Sequence, residues 1–285
     1  YILQVLNDDG DLVFTRKFIV YEPKTTVGVA IYRSRDINKI KTRQSVEFTI
    51  NHPNFRINNP GAEIIPLVMQ NNNLATAIIG LKPQFYRGSQ LLYKYNEETS
   101  FWAGNEFLHF DSKSIRNTTL NIGDVVLEDL YHSFLYTNTE RSGQPYTLNP
   151  DINGNFVIRI LGGDEPELEA DYSWVHFSLR LDRPLENRDL YISGNFNNWQ
   201  LNEQNRMVFN EQSGLYEKAI LMKQGFYNYQ YITRTPSGEL SHHAIDGSHY
   251  QTENDYTVVV YYKRIGERYT RVIGVGYGNS EKINN

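Results

Sequence analysis

The chain has 285 residues, of which 40% are hydrophobic and 21% are charged, so it can bury real cores and is not disordered in composition. Its 28 basic and 33 acidic side chains give a net charge of −5 without a basic tract, which excludes a phosphate-binding surface of the kind that nucleic acids require. No apolar run approaches the roughly 18 residues that would insert into a bilayer, and the absence of Cys removes disulfides and thiolate catalysis.

Aromatic residues are abundant, with 21 Tyr and 14 Phe, and Asn and Gly recur where turns are expected. Tyr and Phe favour strands, whereas Asn and Gly favour turns. No segment keeps a 3.6-residue apolar period for three turns. These features predict an all-β protein made of tandem immunoglobulin-like β-sandwiches.

The first two predicted strands cover residues 1–6 and 12–21 and flank an acidic turn that contains Asp8, Asp9 and Asp11. A single hairpin is barely stable in water. We therefore expect residues 1–23 to be the terminal hairpin of an N-terminal β-domain whose beginning is missing.

Short strands alternate with turn clusters from Lys24 onward. In one of them Val46, Phe48 and Ile50 alternate with polar residues, as in a half-buried strand. Residues 162–167 are rich in Gly, Pro and carboxylates, which is typical of a linker. The pattern predicts one β-sandwich domain over residues 24–168 and an immunoglobulin-like β-sandwich domain over residues 169–285.

The sequence contains only incomplete versions of metal-binding motifs and no local catalytic motif. His242, His243, Asp246 and His249 lie close together, but their segment has no helical spacing that would gather metal ligands, so we interpret it as a polar loop. Asp151 opens an imitation of a calcium loop that has Phe156 where a Gly is needed. There is no G-x-S-x-G or H-E-x-x-H motif. The sequence predicts no enzyme, metal site or cofactor, although a triad assembled from distant loops is not visible to sequence analysis.

Residues 190–199, 214–216 and 225–231 resemble the glycogen-binding modules, which are early-set sandwiches. Those modules stack sugars on aromatic side chains, and Trp199 stands where the family has one platform Trp. Gln230 stands where the family has a sugar-binding Lys, and no Trp follows Tyr231 to supply the second platform. The resemblance implies that residues 169–285 form an early-set-like β-sandwich. It also gives the alternative function, which is weak glycan binding through Trp199. The other interpretation is that Phe196 and Trp199 pack at a sheet edge.

A second resemblance extends along the whole chain. The segments that carry it are residues 12–18, 46–50, 104–107, 110–114, 151–158, 175–179, 223–231 and 252–262. In their order and spacing they resemble the type IX secretion system plug-protein family of Bacteroidetes.

That resemblance implies a non-enzymatic periplasmic protein associated with the outer membrane. Its partner would be the outer-membrane translocon barrel, whose periplasmic mouth it would occlude. Such a role needs rigid aromatic-rich surfaces rather than catalytic groups.

Aromatic side chains in loops are the candidate contact residues, because aromatics are enriched at the centres of protein interfaces. The candidates are Phe101, Trp102, Phe196, Asn197, Asn198 and Trp199. For Phe101 and Trp102 the alternative is a covered corner of the sandwich.

Overall fold

The computed structural model describes residues 1–284. Strands hold 44% of the chain and helices 6%, which confirms the predicted all-β sandwich architecture. Among the described residues, no helix is long and apolar enough to cross a membrane.

The strands in chain order are β1 (Ile2–Leu6), β2 (Leu12–Lys17), β3 (Thr26–Arg33), β4 (Arg43–Asn51), β5 (Ile64–Gln70), β6 (Ile78–Ile79), β7 (Phe85–Arg87), β8 (Gln90–Tyr93), β9 (Ser100–Trp102), β10 (Leu108–Asp111), β11 (Ile122–Leu127), β12 (Tyr131–Leu135), β13 (Asn138–Thr139), β14 (Phe156–Ile158), β15 (Tyr172–Arg180), β16 (Asp189–Ser193), β17 (Arg206–Asn210), β18 (Leu215–Lys223), β19 (Gly225–Arg234), β20 (Leu240–Ser241), β21 (Asp255–Tyr262) and β22 (Arg271–Asn279). The helical segments are α1 (Pro60–Glu63), α2 (Pro166–Glu169) and three single 3-10 turns at Leu74–Thr76, Asn195–Asn197 and Ser280–Lys282.

The chain forms two compact units. Unit 1 contains residues 1–33, 45–100 and 255–285, and unit 2 contains residues 34–44 and 101–254. Neither unit is one continuous stretch of sequence.

Unit 1 contains a four-stranded sheet in the order β22–β21–β5–β6 and a second sheet in the order β3–β4–β8–β7. Strand β5 pairs antiparallel with β21, from Gln70 opposite Tyr256 to Ile64 opposite Tyr262. In the second sheet the rings of Phe48 and Tyr93 stack with centroids 4.2 Å apart. The hairpin β1–β2 forms a separate two-stranded sheet, as predicted.

A row of glycines brings β22 close to β3. Gly274, Gly276 and Gly278 occur at every second position of β22 and so share one face. A Cβ at Gly276 would lie 2.6 Å from the carbonyl oxygen of Val27 and 2.7 Å from its Cβ. The glycines are therefore required for this close approach of backbones.

In unit 2 one strongly bent sheet runs β10–β19–β16–β17–β18–β15–β12–β11 and wraps around a single core. Strand β19 is the central strand of this sheet, because it pairs with β10, β14, β16 and β20. Alternate residues of β15 and β19 supply the centre of the core, among them Val175, Phe177, Tyr229 and Tyr231.

The predicted domain boundary at residues 168 and 169 is wrong. Strand β5 from the predicted first domain pairs with β21 from the predicted second, and β10 pairs with β19 in the same way. The supposed linker lies inside unit 2, where the carbonyl of Glu167 accepts a hydrogen bond from Nζ of Lys223. Alternation of apolar residues identifies a strand but not its partner, so the non-local pairing was invisible in the sequence.

We expect Gly276→Ala to destabilise unit 1 by about 1–3 kcal/mol, because the added methyl group overlaps Val27 in a packed interior. Chemical denaturation followed by circular dichroism measures the change. Gly28→Ala in β3 is the matched control, since a Cβ there meets nothing within 4 Å. Equal stability of the two variants would contradict the role assigned to the glycine row.

Candidate functional site

The predicted contact residues Phe101 and Trp102 are covered rather than displayed. Phe101 is only 5% exposed. The Trp102 ring stacks on His243 with centroids 3.7 Å apart, and the Arg43 guanidinium lies 4.1 Å from the same ring. The prediction of exposed loop aromatics is therefore wrong for this pair, which forms part of a packed corner.

The predicted platform residue Trp199 is also buried, with 7% of its surface exposed. Asn198 and Trp199 both have left-handed backbone conformations, with φ of 53° and 60°. Their turn directs the indole inward, where it meets Phe107 edge-on at 5.9 Å and lies against Gly154, which has no room for a Cβ. A sugar needs an exposed ring face for stacking, so the alternative function through Trp199 lacks its platform.

Several segments that carry the family resemblance meet in one network of buried and half-buried polar groups, which we call the polar hub (Glu106, Arg141, Tyr146, Asp151, Asn228, Asp246 and Glu253). Asn228 of β19 accepts hydrogen bonds from the backbone N–H groups of Ile152 and Gly154 at 2.7 and 3.3 Å. Asp151 accepts hydrogen bonds from the backbone N–H groups of Phe107 and Asn153. The imitation calcium loop is thus a turn that docks one matched segment on two others.

An ion pair completes the hub. Both Nε and Nη2 of Arg141 donate to Oδ1 of buried Asp246, at 3.1 and 2.7 Å. The other carboxylate oxygen accepts from the backbone N–H of Tyr231 at 2.9 Å, and Arg141 also donates to the carbonyl of Glu106. The buried charges are therefore paired and hydrogen-bonded, as burial requires.

Two carboxyls of the hub, those of Asp151 and Glu106, have raised pKa values. Burial raises the pKa of Asp151 to about 7, against the two backbone donors that lower it. Burial also raises the pKa of Glu106, whose carboxylate accepts a hydrogen bond from the Tyr146 hydroxyl. Glu106 is 1% exposed and its carboxylate binds the Tyr146 hydroxyl, so this contact holds two segments of unit 2 together.

The histidines suggested by the sequence do not converge. His243 stacks on Trp102, and Asp246 is engaged by Arg141. Burial lowers the pKa of His242 to about 4. Within residues 1–284, no group of three or more His, Asp or Glu side chains is arranged to hold a metal ion.

Phe196, Asn197 and Asn198 line a groove of about 480 Å³ in unit 2, which we call the amide groove. Its lining residues are Phe156, Ile158, Tyr172, Phe196, Asn197, Asn198, Gln200, Asn202, Gln204, Asn205, Ile220, Leu221, Met222, Lys223 and Tyr227. The Asn-rich motif that contains Phe196, Asn197 and Asn198 marks part of one wall of the groove. The opposite wall includes strand β18, which carries no motif that would mark it in the sequence.

Aromatic rings and neutral amides share the lining of the amide groove. Phe156 stacks parallel to Tyr227 at 5.5 Å, and Phe196 meets the same tyrosine edge-on at 5.9 Å. Asn197 and Asn205 use their side chains within the loop, where both donate to the carbonyl of Ile192. Other amides are exposed at the rim, namely Asn198, Gln200, Asn202 and Gln204. The groove thus joins an apolar floor to a rim of hydrogen-bonding groups.

Comparison with solved structures gives a clear relative. A crystal structure of a hypothetical protein from Parabacteroides merdae is 34% identical in sequence, with a TM-score of 0.92, over 98% of this chain and 71% of that one. The chain belongs to the family of this Parabacteroides protein. The relative is described only as a hypothetical protein, so membership of this family assigns no activity to the chain. No described family profile and no curated protein matches the chain.

Because Trp199 is buried, it is a core residue of unit 2. We expect Trp199→Ala to lower the free energy of unfolding by about 3–5 kcal/mol, because it leaves a cavity beside Phe107. Phe134→Ala is the control, since Phe134 is 36% exposed and its loss should cost far less. Denaturant titration measures both, and a Trp199→Ala protein as stable as wild type would show that the indole is not packed.

The raised pKa of Asp151 predicts a pH-dependent stability. An acid whose pKa is higher in the folded state, here about 7 against an ordinary value of 3.8, favours folding when protonated. Its contribution is therefore present at low pH and lost between about pH 4 and pH 7, at no more than about 1.4 kcal/mol per pH unit.

Asp151→Asn should remove this contribution, so the difference in unfolding free energy between wild type and variant should shrink or reverse as the pH rises from 4 to 7. Urea titrations at several pH values measure it. Asp164→Asn, at an exposed position, is the control and should follow the wild-type pH profile. Parallel profiles for wild type and Asp151→Asn would contradict the assignment.

Proposed function

We propose that this protein is a non-enzymatic periplasmic component that binds the outer-membrane translocon barrel of type IX secretion and occludes its periplasmic mouth. The ordered resemblance along the chain to the plug-protein family supports this role. The relative from Parabacteroides merdae, a Bacteroidetes species, agrees with the phylum of that family.

The observation that carries the binding of a macromolecule is the apolar surface of the hairpin β1–β2 and the residues that follow it. Large hydrophobic side chains are exposed on both strands, including Leu3 and Leu6 of β1 and Val13 and Phe14 of β2. Residues Phe18–Tyr21 continue the exposed apolar surface. Contiguous exposed apolar surface of this kind marks a surface that packs against further polypeptide.

The mode of action that fits is occlusion. Both units are built of paired strands around aromatic cores, which makes them stiff. A stiff body with an apolar contact surface can block an opening without chemical work. Because occlusion needs no chemical reaction, the proposed role is non-enzymatic.

The test is capture of the barrel from a Bacteroidetes strain that secretes by the type IX route. The tagged protein, expressed in that strain and extracted in mild detergent, should co-purify with the translocon barrel, identified by mass spectrometry. Val13→Asp together with Phe14→Asp should reduce capture at least tenfold, because both place charge on the exposed hairpin. Asp9→Asn at the hairpin turn is the control and should leave capture unchanged.

Occlusion itself is tested in cells that lack the protein. They should take up a hydrophilic dextran too large for general porins, and the wild-type protein should restore exclusion. Cells that exclude the dextran without the protein, or a wild-type protein that recovers no barrel, would overturn the proposal.

A further inference from the structure

The amide groove lies between strands β18 and β14, and each of them has a stretch that pairs with another strand on one side only. Strand β18 pairs with β15 along its length, from Tyr216 opposite Leu179 to Lys223 opposite Tyr172. Its ladder with β17 stops at Glu217. Among residues 1–284, no strand pairs with the other edge of β18 from residue 218 to residue 223.

The opposite wall of the groove repeats this arrangement. Strand β14 pairs on one side with β19, with Phe156 opposite Tyr227 and Ile158 opposite Gly225. Within the described chain, β14 has no strand on its other side. Ile220 and Leu221 of β18 and Phe156 and Ile158 of β14 all line the same groove.

The open edge of β18 is charged only at its two ends, at Lys218 and Lys223. At edge strand β11 the side chain of Asp124 accepts the backbone N–H of Val125 at 2.8 Å, so that donor is occupied. The middle of the β18 edge is instead Ala219, Ile220, Leu221 and Met222, without a charge. An open edge with an uncharged middle is a template for another strand.

The charge of the lining defines the chemistry of the occupant. No carboxylate lines the groove, and its one cation, Lys223, donates from Nζ to the carbonyl of Glu167 at 2.5 Å. Such a lining suits an uncharged ligand. Backbone edges hydrogen-bond best to an extended backbone, whereas the aromatic floor accepts apolar side chains and the amide rim accepts polar ones.

We propose that the amide groove binds an extended, uncharged peptide segment of the partner, which adds as a strand to the open edge of β18. This inference rests on the proposed function for the identity of the partner. Alternate side chains of the segment would lie on Phe156 and Tyr172 and face the amides of the rim.

The probe is an eight-residue peptide, acetylated and amidated at its ends, that alternates valine with threonine and carries a fluorophore. Its anisotropy should rise saturably with added protein. Leu221→Lys should weaken binding at least tenfold, because it places a charge on the open edge, where Leu221 is 44% exposed. Val208→Lys is the matched control, since Val208 is a 58% exposed strand residue outside the groove and its variant should bind as wild type does.

Two further measurements separate the backbone from the side chains. The same peptide with alternate backbone nitrogens methylated should fail to compete, because it has lost half of its hydrogen-bond donors. Tyr172→Ala removes an exposed ring of the groove without touching the β18 edge and should weaken binding about fivefold. Circular dichroism confirms that each variant is folded.

Three outcomes would overturn the inference: no saturable binding at millimolar protein, equal binding by Leu221→Lys and Val208→Lys, or binding of maltoheptaose but not of the peptide. Barrel capture distinguishes this inference from the proposed function. If Leu221→Lys captures the barrel as well as wild type does, the groove is not the contact and the proposed function stands. If the peptide binds but no barrel is captured, the proposed function fails and the partner assignment fails with it.

Discussion

Buried polar groups must find partners inside the protein, and this requirement organises unit 2. Strand β19 lies at its centre and pairs with four other strands. Asn228 and the backbone of Tyr231 on this strand bind the turn at Asp151 and the carboxylate of Asp246. Because an unpaired buried charge costs several kcal/mol, these segments have one arrangement that satisfies them all. Trp199 packs against Phe107 and Gly154, whose backbone N–H groups are bound by Asp151 and Asn228.

Unit 1 depends on a different constraint, which is the distance between backbones. The glycines of β22 leave room for Thr25, which precedes β3, and for Val27 and Val29 of β3. Close packing of this kind needs no polar network, but it tolerates no added atom. The two units therefore show two ways in which an all-β chain can specify its packing.

The candidate site illustrates how a motif can be correctly located and wrongly interpreted. The turn at residues 194–199 is an Asn-rich turn, as its composition predicts, yet its most conspicuous residue, Trp199, belongs to the core. The residues of that turn that face the groove are Phe196, Asn197 and Asn198. A surface that offers strand edges, aromatic rings and amides is suited to a polypeptide.

The sequence alone determined the all-β class, most of the strands and the turns, because period-two alternation and turn residues act over a few positions. It also indicated the hairpin β1–β2 and the absence of a local catalytic motif. Only the tertiary structure decided the composition of the two units, since β5 pairs with β21 across almost two hundred residues. The burial of Trp199 and Phe101 and the opposite wall of the groove were likewise decided there. Local pattern shows which face of a strand is apolar, whereas the partner that covers that face is selected by packing between segments distant in sequence.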